Sequence, residues 1–241
     1  MSRSNNIEIK NPAKFLIEWG GSNGTLSYYD KSVEADDKNV NVPIPFTFLV
    51  LDILSTVKGY SSSAKSGFWS NEVRSIKDDI LIVRTKEGEV KRGKYREVID
   101  TKECRGAKFC QSVYVAIKSD TGVLEIAKIQ FTGAALNAWI DFRKKNDIYK
   151  GAVQITGSKQ EQNGATVYYM PVFKSVPVSD ETNKSANTLD VTLQEYLAKY
   201  LNKSHSAPVE SSSQEKNEIP DDFEDVPFSD EAPPETDNSP F

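Results

Sequence analysis

Histidine is almost missing from this chain and cysteine nearly so: one His (His205) and two Cys (Cys104 and Cys110) occur in 241 residues. One histidine close to the carboxyl end leaves the folded part without a Ser/His/Asp or Cys/His constellation. The two thiols have no second pair, so they do not make a zinc site, and they read as ordinary buried or half-buried thiols without a disulfide framework. Long hydrophobic runs are absent too. Nothing approaches the roughly 18 apolar residues of a membrane span, and the first residues are polar where a signal peptide would be apolar. The expected location is therefore cytoplasmic. The glycines of "WGGSNG" lack the Gly-Lys-Ser/Thr ending of a phosphate loop. Acids before the tail are scattered rather than clustered for a two-metal centre, and Asp52, inside an apolar run, reads as an outward-facing residue at a bend. These absences point away from an enzyme, and no metal or cofactor is expected.

Charge is present, but divided. The formal net charge is −5. Residues 204–241 hold eleven acids and one lysine, net −10, which leaves 29 basic and 24 acidic side chains, net +5, on the remaining 203 residues. A mildly basic body followed by an acidic tail suits a polyanionic partner for the body.

Short β-like runs dominate the body. "AKFLIEW" and "TLSYY" flank the turn sequence "GGSNG". "FTFLVLDILSTV" (46–57) and "DILIVRTK" (79–86) read as strands, and "QSVYVAIK" and "VLEIAKIQF" form a hairpin across "SDTG". The period then changes. Thr132 caps a helix over "GAALNAWIDFRKKN", whose apolar face makes Trp139 a core residue and whose last turn holds Arg143, Lys144 and Lys145. A second hairpin, "KGAVQITG" and "TVYYMPVFK", follows, with "SKQEQNGA" as its loop. A last helix is expected over 188–203, its stripe of Leu189, Leu193, Tyr196, Leu197, Tyr200 and Leu201 packing on the body or pairing with a second copy as a homodimer. The order hairpin, helix, hairpin fits a mainly β fold, an OB-type Greek-key barrel with additional N-terminal strands that extend or cover it. The chain thus divides into an OB-type nucleic-acid-binding domain, 1–203, and an acidic tail, 204–241, with no hydrophobic period and the composition of a disordered segment.

Two stretches mix cations with rings. "KGYSSSAKSGFWSNEVRSIK" holds Tyr60, Phe68 and Trp69 beside Lys58, Lys65, Arg74 and Lys77. Two uses fit Phe68 and Trp69: a small core tucked under a long connection, or an arm that stacks on bases. The second stretch carries Lys91, Arg92, Lys94, Tyr95, Arg96, Lys102, Arg105, Lys108 and Phe109, with seven basic against three acidic residues between Lys91 and Lys108. A solvated charged face is the ordinary source of such runs, but the sign bias and interleaved rings match what a single strand needs, cations for phosphates and aromatics for bases. Lys159, read as lying in the last hairpin loop, is placed where OB folds touch nucleic acid.

The tail ends "DDFEDVPFSDEAPPETDNSPF", which is too acidic and proline-broken to fold yet keeps three Phe. Bacterial single-stranded-DNA-binding proteins end in a linker and an acidic tip closing on Pro-Phe. Asp221, Asp222, Phe223, Glu224, Asp225, Pro227 and Phe228 resemble that tip, and Pro240-Phe241 repeats its last two residues. The whole chain is similar to a bacteriophage-type single-stranded-DNA-binding protein. The resemblance implies sequence-nonspecific binding of single-stranded DNA in replication, recombination and repair, in a host cytoplasm. It also implies a tip that recruits a polymerase, helicase, primase or repair protein and competes with DNA for the basic groove. This chain departs from the pattern in that the acid-rich copy is internal, so Phe228 has the denser acids and Phe241 the free carboxylate. Rival readings are a protein–protein adaptor without nucleic-acid affinity and an RNA chaperone on the same fold.

Overall fold

One long strand organises the molecule. In the computed structural model, which describes residues 10–33, 38–61, 65–119 and 121–205, the apolar run beginning at Phe46 forms a 16-residue strand, β4 (Phe46–Ser61). Before it come β1 (Leu16–Gly20), β2 (Thr25–Tyr29) and β3 (Asn39–Val42). After it come β5 (Ser66–Ser70), β6 (Leu81–Thr85), β7 (Gly88–Gly93), the short helix α1 (Tyr95–Ile99), and the hairpin β8 (Lys108–Lys118) and β9 (Leu124–Thr132). The chain finishes with α2 (Gly133–Lys145), the hairpin β10 (Ala152–Asn163) and β11 (Thr166–Val176), and α3 (Asp180–His205).

The sheet order is β3-β2-β1-β9-β8-β4-β5-β6-β7. β8 pairs with β4 almost throughout, while the other edge of β4 is shared: β10 pairs with Phe46–Phe48 and β5 with Lys58–Ser61. Between those two ladders, among the described residues, only Ser55 is bridged, to Val73. The pairing of β1 with β9 is parallel and the other ladders are antiparallel, so the sheet is mixed.

β4, β8 and β9 read as nearly continuous apolar runs because both their faces are covered. On one face Phe48, Val50, Val113, Val115, Ile129 and Phe131 pack under Trp139 of α2, a residue with no exposed surface. On the other, Leu49, Leu51, Leu54, Tyr114, Ala116 and Ile126 meet Ala186, Leu193 and Leu197 of α3. A bulge between Val50 and Asp52 makes this possible. Leu51 is the extra residue, and past it the even-numbered side chains of β4 change from the α2 face to the α3 face. Asp52 therefore lies at a bend, as expected, but is not solvent-facing. It is buried against α3, where Arg74 Nη1 approaches to 2.5 Å and Gln194 Nε2 donates to it at 2.9 Å.

A third, smaller core of Val57, Phe68, Val73, Leu81, Val83, Val98 and Cys104 sits beneath β5–β7 and α1. The expected long connection over 58–77 is thus partly strand. The closed ladder of a barrel does not form among the described residues. β9 gives its outer edge to β1, and the link to β11 is a backbone bond from the Tyr169 N–H to the Gly21 carbonyl, 2.8 Å, with Trp19 Nε1–H donating to the Tyr169 carbonyl at 3.0 Å. The N-terminal strands extend the sheet beyond β9.

α3 begins eight residues before the expected start. Ser179 Oγ accepts the Thr182 N–H, and Asp180 and Glu181 occupy the first turn, where the helix dipole favours acids. Its stripe packs on the sheet of its own chain. Among the described residues no helix is long and apolar enough to cross a membrane.

Candidate nucleic-acid interface

Beyond the end of α3 the sheet face changes character. Cross-strand neighbours share a face, and the registers align Lys108 with Lys58, Lys58 with Trp69, and Trp69 with Arg84, across β8, β4, β5 and β6. Two residues along β4 on the same face stands Tyr60, 38% exposed. Arg92 lies on it as well, opposite Ile82. Trp69 and Arg84 are half-buried and Lys108 is exposed. The result is a row of cations around a tryptophan, held on paired strands rather than on loops.

Not every cation in the row is uncommitted. Lys58 forms an ion pair with Glu18 of β1 and also reaches Gln130 Oε1 at 3.3 Å. Burial opposes its charge, but the Glu18 carboxylate and the Cys110 thiol beside it more than offset this and raise its pKa above the ordinary lysine value. Lys58 is thus a fixed positive charge with its carboxylate on the rim of the face. Arg92 is held by Glu89 through two bonds of 2.9 Å, which raises the Arg92 pKa and lowers that of Glu89. Cys110, buried one step from Lys58, is pushed up to about 11, chiefly by burial.

The remaining expected residues separate. Phe68 is wholly buried in the third core, its ring directly below Gly59, where an added Cβ would lie 2.5 Å from Cζ. It cannot reach a base, because alternation along β5 turns it inward while Trp69 faces out. Lys91, opposite Val83, lies on the face away from Arg84 and Arg92. Tyr95 and Phe109 pack edge to face, with ring centroids 6.4 Å apart, and support the core more than they offer free ring faces. Lys94 precedes α1, where its backbone N–H is held by Glu97 Oε2 at 2.8 Å. Arg96 in α1, Lys102 and Arg105 after it, and Lys65 and Lys77 are exposed around the third core without lying in the row. Arg74 is committed to Asp52 and, at 3.3 Å, to Gln194, so it fastens α3.

Lys159 is not in a loop. β10 and β11 continue past it to a two-residue turn at Gly164-Ala165, and Lys159 pairs with Glu161 at 2.6 Å on an exposed two-stranded arm. The tail residues Asp221, Asp222, Phe223, Glu224, Asp225, Pro227, Phe228, Pro240 and Phe241 lie outside the described residues.

Sequence reasoning missed Arg84 and Glu18, both of which enter only through strand register. It also missed a buried polar group between the face and α3. Glu72 is within 3.2 Å of Lys128 Nζ, accepts the Tyr114 hydroxyl at 2.6 Å, and donates its N–H to the Tyr200 hydroxyl at 3.0 Å. Burial, with Glu72 adding to it, raises the pKa of both phenols. Among the described residues no three His, Cys, Asp or Glu side chains converge as a metal site. Comparison with protein-family models, curated proteins and solved structures finds no match to this chain.

Proposed function

We propose that this protein binds single-stranded DNA without sequence preference, through the face that carries Lys108, Lys58, Trp69 and Arg84, and acts in replication, recombination or repair. The observation that supports this reading most is the register that places Trp69 between Lys58 and Arg84 on one face. Stacking on a ring is worth ~1–3 kcal/mol per base and accepts any base, while cations spaced along a face take phosphates. The proposed fold is an OB-type unit in which β4, β8, β9, α2, β10 and β11 supply the five strands and the intervening helix. In it β1 takes the edge of β9 that would close the barrel. No cofactor is needed for binding of this kind.

The acidic tail is proposed to recruit replication proteins. A terminal Phe presents a ring and a carboxylate together, and the preceding acids add salt-sensitive steering. The tail's ten net negative charges suit it to compete with DNA for the basic face. The deciding experiment is a titration of labelled oligo-dT at low salt with the wild type and Trp69→Ala. Binding that falls about 5- to 150-fold in the variant supports the reading. No binding by the wild type rejects it in favour of an adaptor, and tighter binding of a matched RNA favours the RNA chaperone.

A further inference from the structure

Two cations of the row bring a carboxylate with them, by different routes. Arg92 meets Glu89, three residues away on the same strand, β7. Lys58 meets Glu18 from across the sheet. Its side chain leaves β4, crosses β8 and β9, passes Gln130 Oε1 at 3.3 Å and reaches Glu18 on β1. Glu18 stands opposite Gln130, and Gln130 opposite Ser112, so the carboxylate lies on the same face as the row.

This pair does little for the fold. Both side chains keep contact with solvent, 24% for Lys58 and 33% for Glu18, and ion pairs exposed to that degree contribute little stability. β1 is held instead by its ladders to β2 and β9, and by Ile17 and Trp19, which alternate to the opposite face and are buried in the first core. Toward an anionic partner the carboxylate acts directly. It occupies the Lys58 amine and repels an incoming phosphate. It also keeps Lys58 protonated, as a phosphate would.

We propose that Glu18 is a built-in competitor for the nucleic-acid face: its carboxylate stands in for a phosphate on Lys58, and a single strand must displace it to gain that contact. This rests on the single-strand reading above and names a residue that holds its affinity down. A carboxylate tethered to β1 differs from a free anion, because diluting the salt does not remove it. While it stays, Lys58 and Glu18 are jointly neutral and release no counterion from DNA. Once it is gone, Lys58 neutralises a phosphate and releases about 0.7 of a counterion.

The test uses the full chain and a labelled oligo-dT of ~16 nucleotides, titrated between about 50 and 200 mM salt. Glu18→Gln steepens the slope of log affinity against log salt by about 0.7. It tightens binding about eightfold at the low-salt end, which is that slope carried down from 1 M. Glu18→Ala does the same, so the lost charge is responsible and not the new amide. In a Lys58→Gln chain, Glu18→Gln leaves the slope where it was, because no amine is there to be freed. An equal gain in both backgrounds reports a general loss of negative charge and overturns the proposal. Unchanged or weaker binding by Glu18→Gln with Lys58 in place also overturns it, and leaves the broader reading intact. Failure of the wild type to bind at low salt removes both.

Discussion

Phe68 separates two accounts of the same stretch of sequence, and replacing it by alanine tests them. The side chain is fully buried between Val57, Val73, Leu81 and Val83, with Gly59 against its ring face. Removing a buried phenyl ring costs about 3–5 kcal/mol when the site cannot collapse. The third core is small and bounded by paired strands on one side and α1 on the other, so collapse is restricted and the upper half of that range applies. In a chain of this size each kcal/mol moves the melting midpoint by roughly 2–4 °C, which gives a fall of about 8–20 °C by calorimetry. Oligonucleotide affinity measured well below the new midpoint stays at the wild-type value, because the ring does not face the row. A Phe68→Ala protein that melts within 2 °C of wild type and binds oligo-dT more weakly would refute the reasoning, because the ring would then be working at the surface.

Other expectations are briefer. Glu72→Ala removes the carboxylate that faces buried Lys128, at a cost of about 3–5 kcal/mol in denaturant unfolding, and Glu72→Leu with Lys128→Met recovers most of it. Gly59→Ala drives a Cβ into the Phe68 ring and costs about 1–3 kcal/mol, which Phe68→Leu relieves. The Cys110 thiol titrates near 11 in the fold against an ordinary value of 9.0, so its contribution is complete below pH 9 and disappears as pH rises through about 11. The stability difference between wild type and Cys110→Ala, followed by urea midpoints, therefore narrows over that window and is flat from pH 6 to 8. Removing residues 204–241 takes away ten net negative charges and tightens oligo-dT binding, and unchanged affinity rejects competition by the tail.

Much of the fold was legible because it depends on local period. The hairpin of β8 and β9 alternates cleanly, and α2 announces itself by a change of spacing and a cationic last turn. The first two turns of α3 are polar, so a search for an apolar stripe starts too late, although Ser179 and the acids after it mark the end. Period 2 along "SGFWS" already puts Phe68 and Trp69 on opposite faces, but which faces inward depends on Gly59 across the ladder. The candidate row was half legible. Lys58, Trp69 and Lys108 are visible as residue types, whereas Arg84 joins them by register and Glu18, forty residues from Lys58, reaches it through the parallel pairing of β1 with β9. Partners of that kind follow from topology, which no window of sequence contains.

The bulge at Leu51 acts on a residue seven positions away. Because side chains alternate, the extra residue sets the phase of all that follows in β4, as far as Lys58 and Tyr60. Deleting Leu51 while β4 keeps its pairing ahead of the bulge would turn Lys58 and Tyr60 toward the third core and present Val57 and Gly59 in their place. A change of one residue in the middle of the hydrophobic core would thus erase the charged face at the far end of the strand without altering any residue in it. The surface chemistry of this protein is in that sense counted out from its interior.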